Sequence, residues 1–141
     1  MSDQLTEDQI QAIAQNYHDM ADRIRKIIVS QAATLTDDEE DDLEQQQDIC
    51  LAHSSEYIAK GLALQQAQLE ADGQDIKDAI AEADQAIQNI RTADKVLQIV
   101  TAATQLGASI LKADYDAVPG ELQAVWSTVR INTKPDDDTN S

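Results

Sequence analysis

The sequence predicts an all-α fold, an antiparallel bundle of three long helices followed by a short one. Glycine and proline are scarce, with four and two in 141 residues, whereas an all-β fold needs a turn about every 8–12 residues. Apolar residues recur at intervals of three and four, the pattern of helices that pack lengthwise. With 21 alanines and no phenylalanine, most apolar side chains are small enough for close helix packing. We expect one domain over residues 1–130.

The first helix is expected at residues 7–33. Thr6 and Gln9 form a capping-box pattern, in which each side chain satisfies a backbone N–H of the other at the start of a helix. The apolar positions that follow are spaced by three and four residues: Ile10, Ile13, Tyr17, Met20, Ile24 and Ile27. This seam predicts a buried face that packs along a neighbouring helix.

A second helix is expected at residues 37–72. It begins with another capping-box pattern, Thr36 with Glu39, and the glycine at position 73 is typical of a residue just past a helix end. Gly61 is a weak point at which this helix can kink. The helix continues through the apolar positions Cys50, Leu51, Ile58, Leu62 and Leu69.

The third helix is expected at residues 74–112 and contains an uncharged run at residues 96–111, VLQIVTAATQLGASIL. A membrane span needs about 20 predominantly apolar residues, whereas this run has 16, five of them polar. We therefore expect the buried central helix of the bundle, or an interface through which the protein forms homo-oligomers. Insertion into a membrane is the remaining alternative and is not favoured.

A short fourth helix is expected at residues 118–130, because Pro119 suits the first turn of a helix. Residues 131–141 lack apolar periodicity. They are expected to form a mobile acidic tail.

The chain is strongly acidic, with 27 Asp and Glu against 10 Lys and Arg and a net charge of −17. Residues 34–72 carry 11 of the acidic residues and one lysine. Such a surface repels a phosphate backbone, so direct nucleic-acid binding is not expected; a basic protein partner is favoured instead. The candidate partner-binding residues are Asp37, Asp38, Glu39, Glu40, Asp41, Asp42, Leu43, Glu44 and Asp48.

Helix capping accounts for only part of this acidic run. Carboxylates in the first turn interact favourably with the helix dipole by about 0.3–1 kcal/mol each, but the effect fades within one turn. Asp41, Asp42 and Glu44 lie beyond it, and like charges three or four residues apart repel. The remaining charge either serves a partner or only keeps an Ala- and Gln-rich bundle in solution. A calcium loop does not fit, because Asp42 stands where such a loop requires glycine.

A hairpin of the first two helices, turning near residue 35, places residue i opposite about residue 70 − i. His18, Cys50 and His53 then lie at one height and form an incomplete ligand set for a divalent metal. The simpler interpretation is a buried cysteine that packs as a small apolar side chain beside two histidines. We expect no cofactor.

No motif typical of an enzyme occurs in the sequence. The four glycines are isolated, which argues against a phosphate-binding loop, and the Glu-x-x-His motif of di-iron bundles is absent. The sequence therefore predicts a non-catalytic binding protein, in the manner of immunity proteins, antitoxins, secretion chaperones and nucleic-acid mimics. The alternative is a self-assembling or membrane-acting protein that uses residues 96–111. A single cysteine, and a start without the pattern of a signal peptide, predict a cytoplasmic location.

Overall fold

The computed structural model describes residues 4–90 and 92–133, and all regular structure in that part of the chain is helical. A 3₁₀ turn at Tyr115–Ala117 precedes the last helix. The α-helices are α1 (Glu7–Ser30), α2 (Asp37–Ala59), α3 (Gly61–Gln66), α4 (Gly73–Gln88), α5 (Ala93–Leu111) and α6 (Val118–Thr133). The all-α class is confirmed, but the described residues form six helices where four were predicted.

α1 and α2 begin where the two capping boxes place them. Gln9 N donates to Thr6 Oγ1 at 3.1 Å, while Thr6 N donates to Gln9 Oε1 at 2.9 Å. The same two bonds join Thr36 and Glu39, each at 3.0 Å. Each box satisfies two backbone N–H groups that lack a partner inside the helix, so the start is fixed locally. All six apolar positions of the predicted α1 seam are buried.

The prediction of one continuous second helix over residues 37–72 is wrong. α2 ends at Ala59, α3 is a single short helix, and residues 67–72 form an irregular link. Gly61 lies at the junction, where a glycine weakens a helix by about 1 kcal/mol relative to alanine. Glu70 adopts a φ of 58°, which lies in the left-handed region and is incompatible with a continuing right-handed helix.

Gly73, predicted to lie just past a helix end, is instead the first residue of α4. Asp72 caps this helix, because its Oδ1 accepts a hydrogen bond from Gln74 N at 2.7 Å. A Cβ at position 73 would lie 2.6 Å from the carbonyl oxygen of Gln4. Glycine is therefore required by close packing against the N-terminal segment, where Leu5 is buried.

The predicted third helix, residues 74–112, is in fact two helices, since α4 ends at Gln88 and α5 begins at Ala93. The break allows α5 to pack against α1, α2, α4 and α6. Ten of the sixteen residues in the uncharged run, residues 96–111, are buried. The run is therefore the buried central helix of the bundle, as expected. Among the described residues, no helix is both long enough and apolar enough to cross a membrane.

α6 begins at Val118 as predicted, with Pro119 in its first turn, and extends three residues past the predicted end to Thr133. It packs against α4 and α5. The expected mobile tail is thus helical at residues 131–133, and its remaining part, residues 134–141, lies outside the described residues.

Candidate functional site

The acidic residues predicted to bind a partner lie along the first half of α2. Glu39 and Glu40 are half-buried, and the Glu39 carboxylate belongs to the capping box. The others are exposed: Asp37, Asp38, Asp41, Asp42, Glu44 and Asp48. Within the described part of the chain, none of the ion pairs involves residues 37–48. This acidic surface is therefore open to solvent, and the cations of the described residues do not neutralise it.

Leu43, which was also predicted to contact a partner, is fully buried. It begins a row of buried side chains spaced seven residues apart on the inner face of α2 and α3: Leu43, Cys50, Tyr57 and Leu64. Seven residues make about two helical turns, so this row packs lengthwise against the rest of the bundle. The assignment of Leu43 to a docking surface is wrong, because its side chain belongs to the core.

A second row follows the outer face of α2 and continues into α3, and we name it the α2 stripe. Its members are spaced alternately by four and three residues, and all are exposed: Asp37, Asp41, Glu44, Asp48, Leu51, Ser55, Ile58 and Leu62. Ile58 and Leu62 have 58% and 77% of their surface exposed. Leu51, Ile58 and Leu62, which are apolar positions of the predicted second helix, are therefore exposed, since the inner row occupies the buried face.

A shallow depression adjoins the apolar end of the α2 stripe. It has a volume of about 250 Å³ and lies between the start of α1 and the junction of α2 with α3. Its lining includes Glu7, Gln11, Ile58 and Leu62. The outer face of α2 thus offers an acidic half and an apolar half, and the apolar half has a concave contact point beside it.

The structure does not assemble His18, Cys50 and His53 into a metal site. His18 is exposed, with Nδ1 3.8 Å from an Asp22 carboxylate oxygen. Cys50 and His53 are buried. Among the described residues, the group with ligand atoms close enough for a metal is His18 with Asp19 and Asp22, on the surface of α1. The interpretation of Cys50 as a packed apolar side chain agrees with its burial.

The predicted hairpin register is borne out by a buried aromatic cluster between α1, α2 and α5. The rings of Tyr17 and His53 lie 5.1 Å apart, edge to face. Their numbers sum to 70, as the hairpin turning near residue 35 requires. Tyr17 Oη donates to the Ala103 carbonyl at 2.7 Å, and Tyr57 Oη donates to the Gly107 carbonyl at 3.0 Å. These two hydrogen bonds fix the position of α5 along the α1–α2 hairpin. The burial of Tyr57 could have been predicted from its place in the inner row, where buried residues are spaced by seven.

Burial determines the acid–base properties of this cluster. Desolvation raises the pKa of both Tyr17 and Tyr57 and raises the pKa of Cys50 to about 12. Because the thiolate is the reactive form of cysteine, Cys50 is not suited to nucleophilic chemistry. Burial lowers the pKa of His53, whose Nε2 lies 3.0 Å from the Thr104 carbonyl oxygen. These side chains hold the helices together and are inaccessible to a substrate.

We predict that protonation of His53 destabilises the protein as the pH falls below about 6.5. The folded state binds this proton more weakly than the unfolded chain, and His53 Nδ1 has no hydrogen-bond partner among the residues that the structure describes. The stability contributed by neutral His53 is therefore complete above the ordinary pKa of about 6.5 and is lost on going below it. Urea unfolding at pH 7.5 and pH 5 should show a larger loss for the wild type than for H53Q. An equal change in both proteins would contradict the prediction.

A scan of the chain against models of protein families, a search of curated proteins and a search of solved structures each return no match. The fold and the surface therefore define only a class, an all-α helical bundle with a strongly acidic outer face on α2. Function has to be inferred from the chemistry of that face.

Proposed function

We propose that this protein is a non-catalytic binding protein whose acidic surface on α2 docks onto a basic surface of another protein. Immunity proteins, antitoxins, secretion chaperones and nucleic-acid mimics act by such a physical mechanism. The proposed partner is a protein and not a nucleic acid, since a phosphate backbone would be repelled. The single cysteine suits a reducing compartment, and we place the interaction in the cytoplasm.

The observation that carries the proposal is the unneutralised charge along α2. No lysine or arginine occurs between Lys26 and Lys60. Carboxylates three and four residues apart on one helix repel each other by about 0.2–0.5 kcal/mol per pair. A basic partner would convert this repulsion into attraction and would also accelerate encounter. A purely solubilising role does not require the charges to be concentrated on one helix, because carboxylates dispersed over the whole surface also keep a protein in solution.

The burial of residues 96–111 weighs against the alternative of self-assembly or membrane action through that segment. The exposed members of α5 that adjoin α2 and α6 are mainly polar, including Asp94, Gln98 and Gln105. Without unfolding, α5 therefore has little apolar surface to offer to a membrane or to a second copy. Homo-oligomers through α5 are not part of the proposal.

The test is the rate of association with the partner recovered by cross-linking in the native cell. The variant D37N/D38N/E40Q/D41N removes four charges and leaves Glu39 in the capping box. Its association rate constant should be about tenfold lower than that of the wild type in 20 mM salt. The difference should largely disappear in 0.5 M salt, because the Debye length falls to a few ångströms.

A matched control removes four exposed charges elsewhere, in the variant D75N/E82Q/D114N/D116N. It changes the net charge by the same amount and should slow association much less. Circular dichroism must show equal helicity in all three proteins. If both variants slow association equally, only net charge matters and α2 is not the docking surface.

A further inference from the structure

The two halves of the α2 stripe differ in chemistry but belong to one continuous line. The alternating four-and-three spacing is that of a coiled-coil seam, and it persists from Asp37 through Leu62. α2 therefore carries two seams. The inner one is buried in the bundle, whereas the side chains of the outer one are exposed, with Ile58 and Leu62 beside the start of α1. An outer seam with this spacing is suited to a second helix lying alongside.

The apolar half of the stripe is a concentrated exposed patch. In the described part of the chain, five large apolar side chains are exposed, and three of them belong to the stripe: Leu51, Ile58 and Leu62. Exposed alanines flank them at positions 52, 59 and 63. Single exposed apolar residues are ordinary, but a contiguous group beside a depression is characteristic of an interaction surface.

We propose that the α2 stripe binds one amphipathic helix of the partner, with basic side chains along its acidic half and apolar side chains along its apolar half. This inference rests on the proposed function and specifies the docking element. The 23 residues of α2 span about 35 Å at 1.5 Å per residue, and the stripe continues beyond them to Leu62 of α3. A partner helix of about 25 residues covers the stripe, and one of its large apolar side chains enters the depression of about 250 Å³.

Charge excludes a second copy of this chain as the occupant. Two parallel copies would place the carboxylates of one stripe against those of the other. Two antiparallel copies would place Asp37 to Asp48 of each against the apolar half of its neighbour and remove those carboxylates from water without a counter-ion. Either arrangement is unfavourable, whereas a helix with Lys or Arg at one end and Leu or Ile at the other complements both halves.

The probe is a designed 25-residue helical peptide with lysines at the seam positions of one half and leucines at those of the other. It is made in both directions, with the basic half first or last, because the stripe does not fix the orientation. A third peptide of the same composition has lysine and leucine alternating along the seam. We expect one segregated peptide to bind at least about tenfold more tightly than the alternating one in 150 mM salt, as measured by fluorescence anisotropy.

Matched variants identify the contacts. L62Q should weaken binding of the segregated peptide at least fivefold, mainly through faster dissociation. I131Q is the control, because Ile131 is 70% exposed and Leu62 is 77% exposed. It should leave binding unchanged. D37N/D41N/E44Q/D48N should slow association and reduce its salt dependence. The charge control D75N/E82Q/D114N/D116N should do neither.

The outcomes separate this inference from the proposed function. If the charge variant weakens binding but L62Q does not, or if the alternating peptide binds equally well, attraction to basic groups stands and the helix-docking inference fails. If neither L62Q nor the charge variant differs from its control, both fail. A dimer in sedimentation equilibrium that L62Q dissociates would show that a second copy occupies the stripe and would overturn the inference.

Discussion

Replacing Gly107 with alanine is expected to destabilise the protein by about 3 kcal/mol. A Cβ at this position would collide with Tyr17 Oη and lie 2.9 Å from both Tyr17 Cζ and His53 Cδ2. Neither ring can move away freely, because both are packed between three helices. Overpacking of this kind costs about 1–3 kcal/mol, and moving Tyr17 also breaks its buried hydrogen bond to Ala103, at about 1–3 kcal/mol. Alanine has a higher helix propensity than glycine, which offsets these two costs by about 1 kcal/mol. The net change in the free energy of unfolding can be measured by urea unfolding.

Gly120 provides the matched control for this substitution. It also lies in a helix, but apart from the neighbouring backbone of that helix, no atom of the described residues comes within 4 Å of a Cβ placed there. G120A is therefore expected to leave stability unchanged or raise it by up to about 1 kcal/mol. Equal effects of G107A and G120A would show that the aromatic cluster is not packed against α5 as described.

Replacing Arg23 with methionine is expected to cost about 3 kcal/mol at pH 7. Arg23 Nε donates to the Asp84 carboxylate at 2.8 Å, and the Asp84 side chain is only 6% exposed. Removing the cation leaves a buried carboxylate without a counter-charge, which is far more costly than losing a surface ion pair. K60M is the control, because it breaks the exposed pair of Lys60 with Glu56 and should cost less than about 0.5 kcal/mol.

The loss in R23M should depend on pH in a definite direction. Burial raises the pKa of Asp84 even though Arg23 opposes the shift, so removing Arg23 raises it further. Below the unfolded pKa of about 3.9, Asp84 is neutral in both states and the loss is small; it grows as the pH rises through the folded-state pKa. The double variant R23M/D84N should lack this dependence. A loss in R23M that is the same at pH 4 and pH 7 would contradict the role of Asp84.

Local signals in the sequence were sufficient for the starts of α1, α2 and α6 and for the buried face of α1, although α1 ends at Ser30 and not at the predicted residue 33. In the capping boxes that begin at Thr6 and Thr36, the two residues that bond to each other are only three positions apart in the sequence. These helix starts therefore do not depend on tertiary contacts. α1 has a single apolar face, so the sequence alone shows which of its side chains face the core. The breaks after Ala59 and Gln88 were missed because they depend on how the later helices fold back against the hairpin.

The candidate site required the structure for a different reason. α2 has apolar residues on two faces, and spacing alone does not decide which face the bundle covers. Cys50 and Tyr57 belong to the inner row, whereas Leu51 and Ile58 follow each of them by one residue on the outer row. The inner and outer rows therefore lie about 100° apart around the axis of α2. The seven-residue spacing from Leu43 to Leu64 was the available signal for the inner row.

Thiol accessibility tests the central claim, that α2 buries its inner row and exposes its outer stripe. Native Cys50 should react with a thiol reagent at least about 100-fold more slowly than in denaturant, because reaction requires opening of the fold. In a C50A background, cysteines introduced by I58C and L62C should react at nearly the denatured rate. Rapid labelling of native Cys50, or protection of positions 58 and 62 in the monomer, would contradict the account.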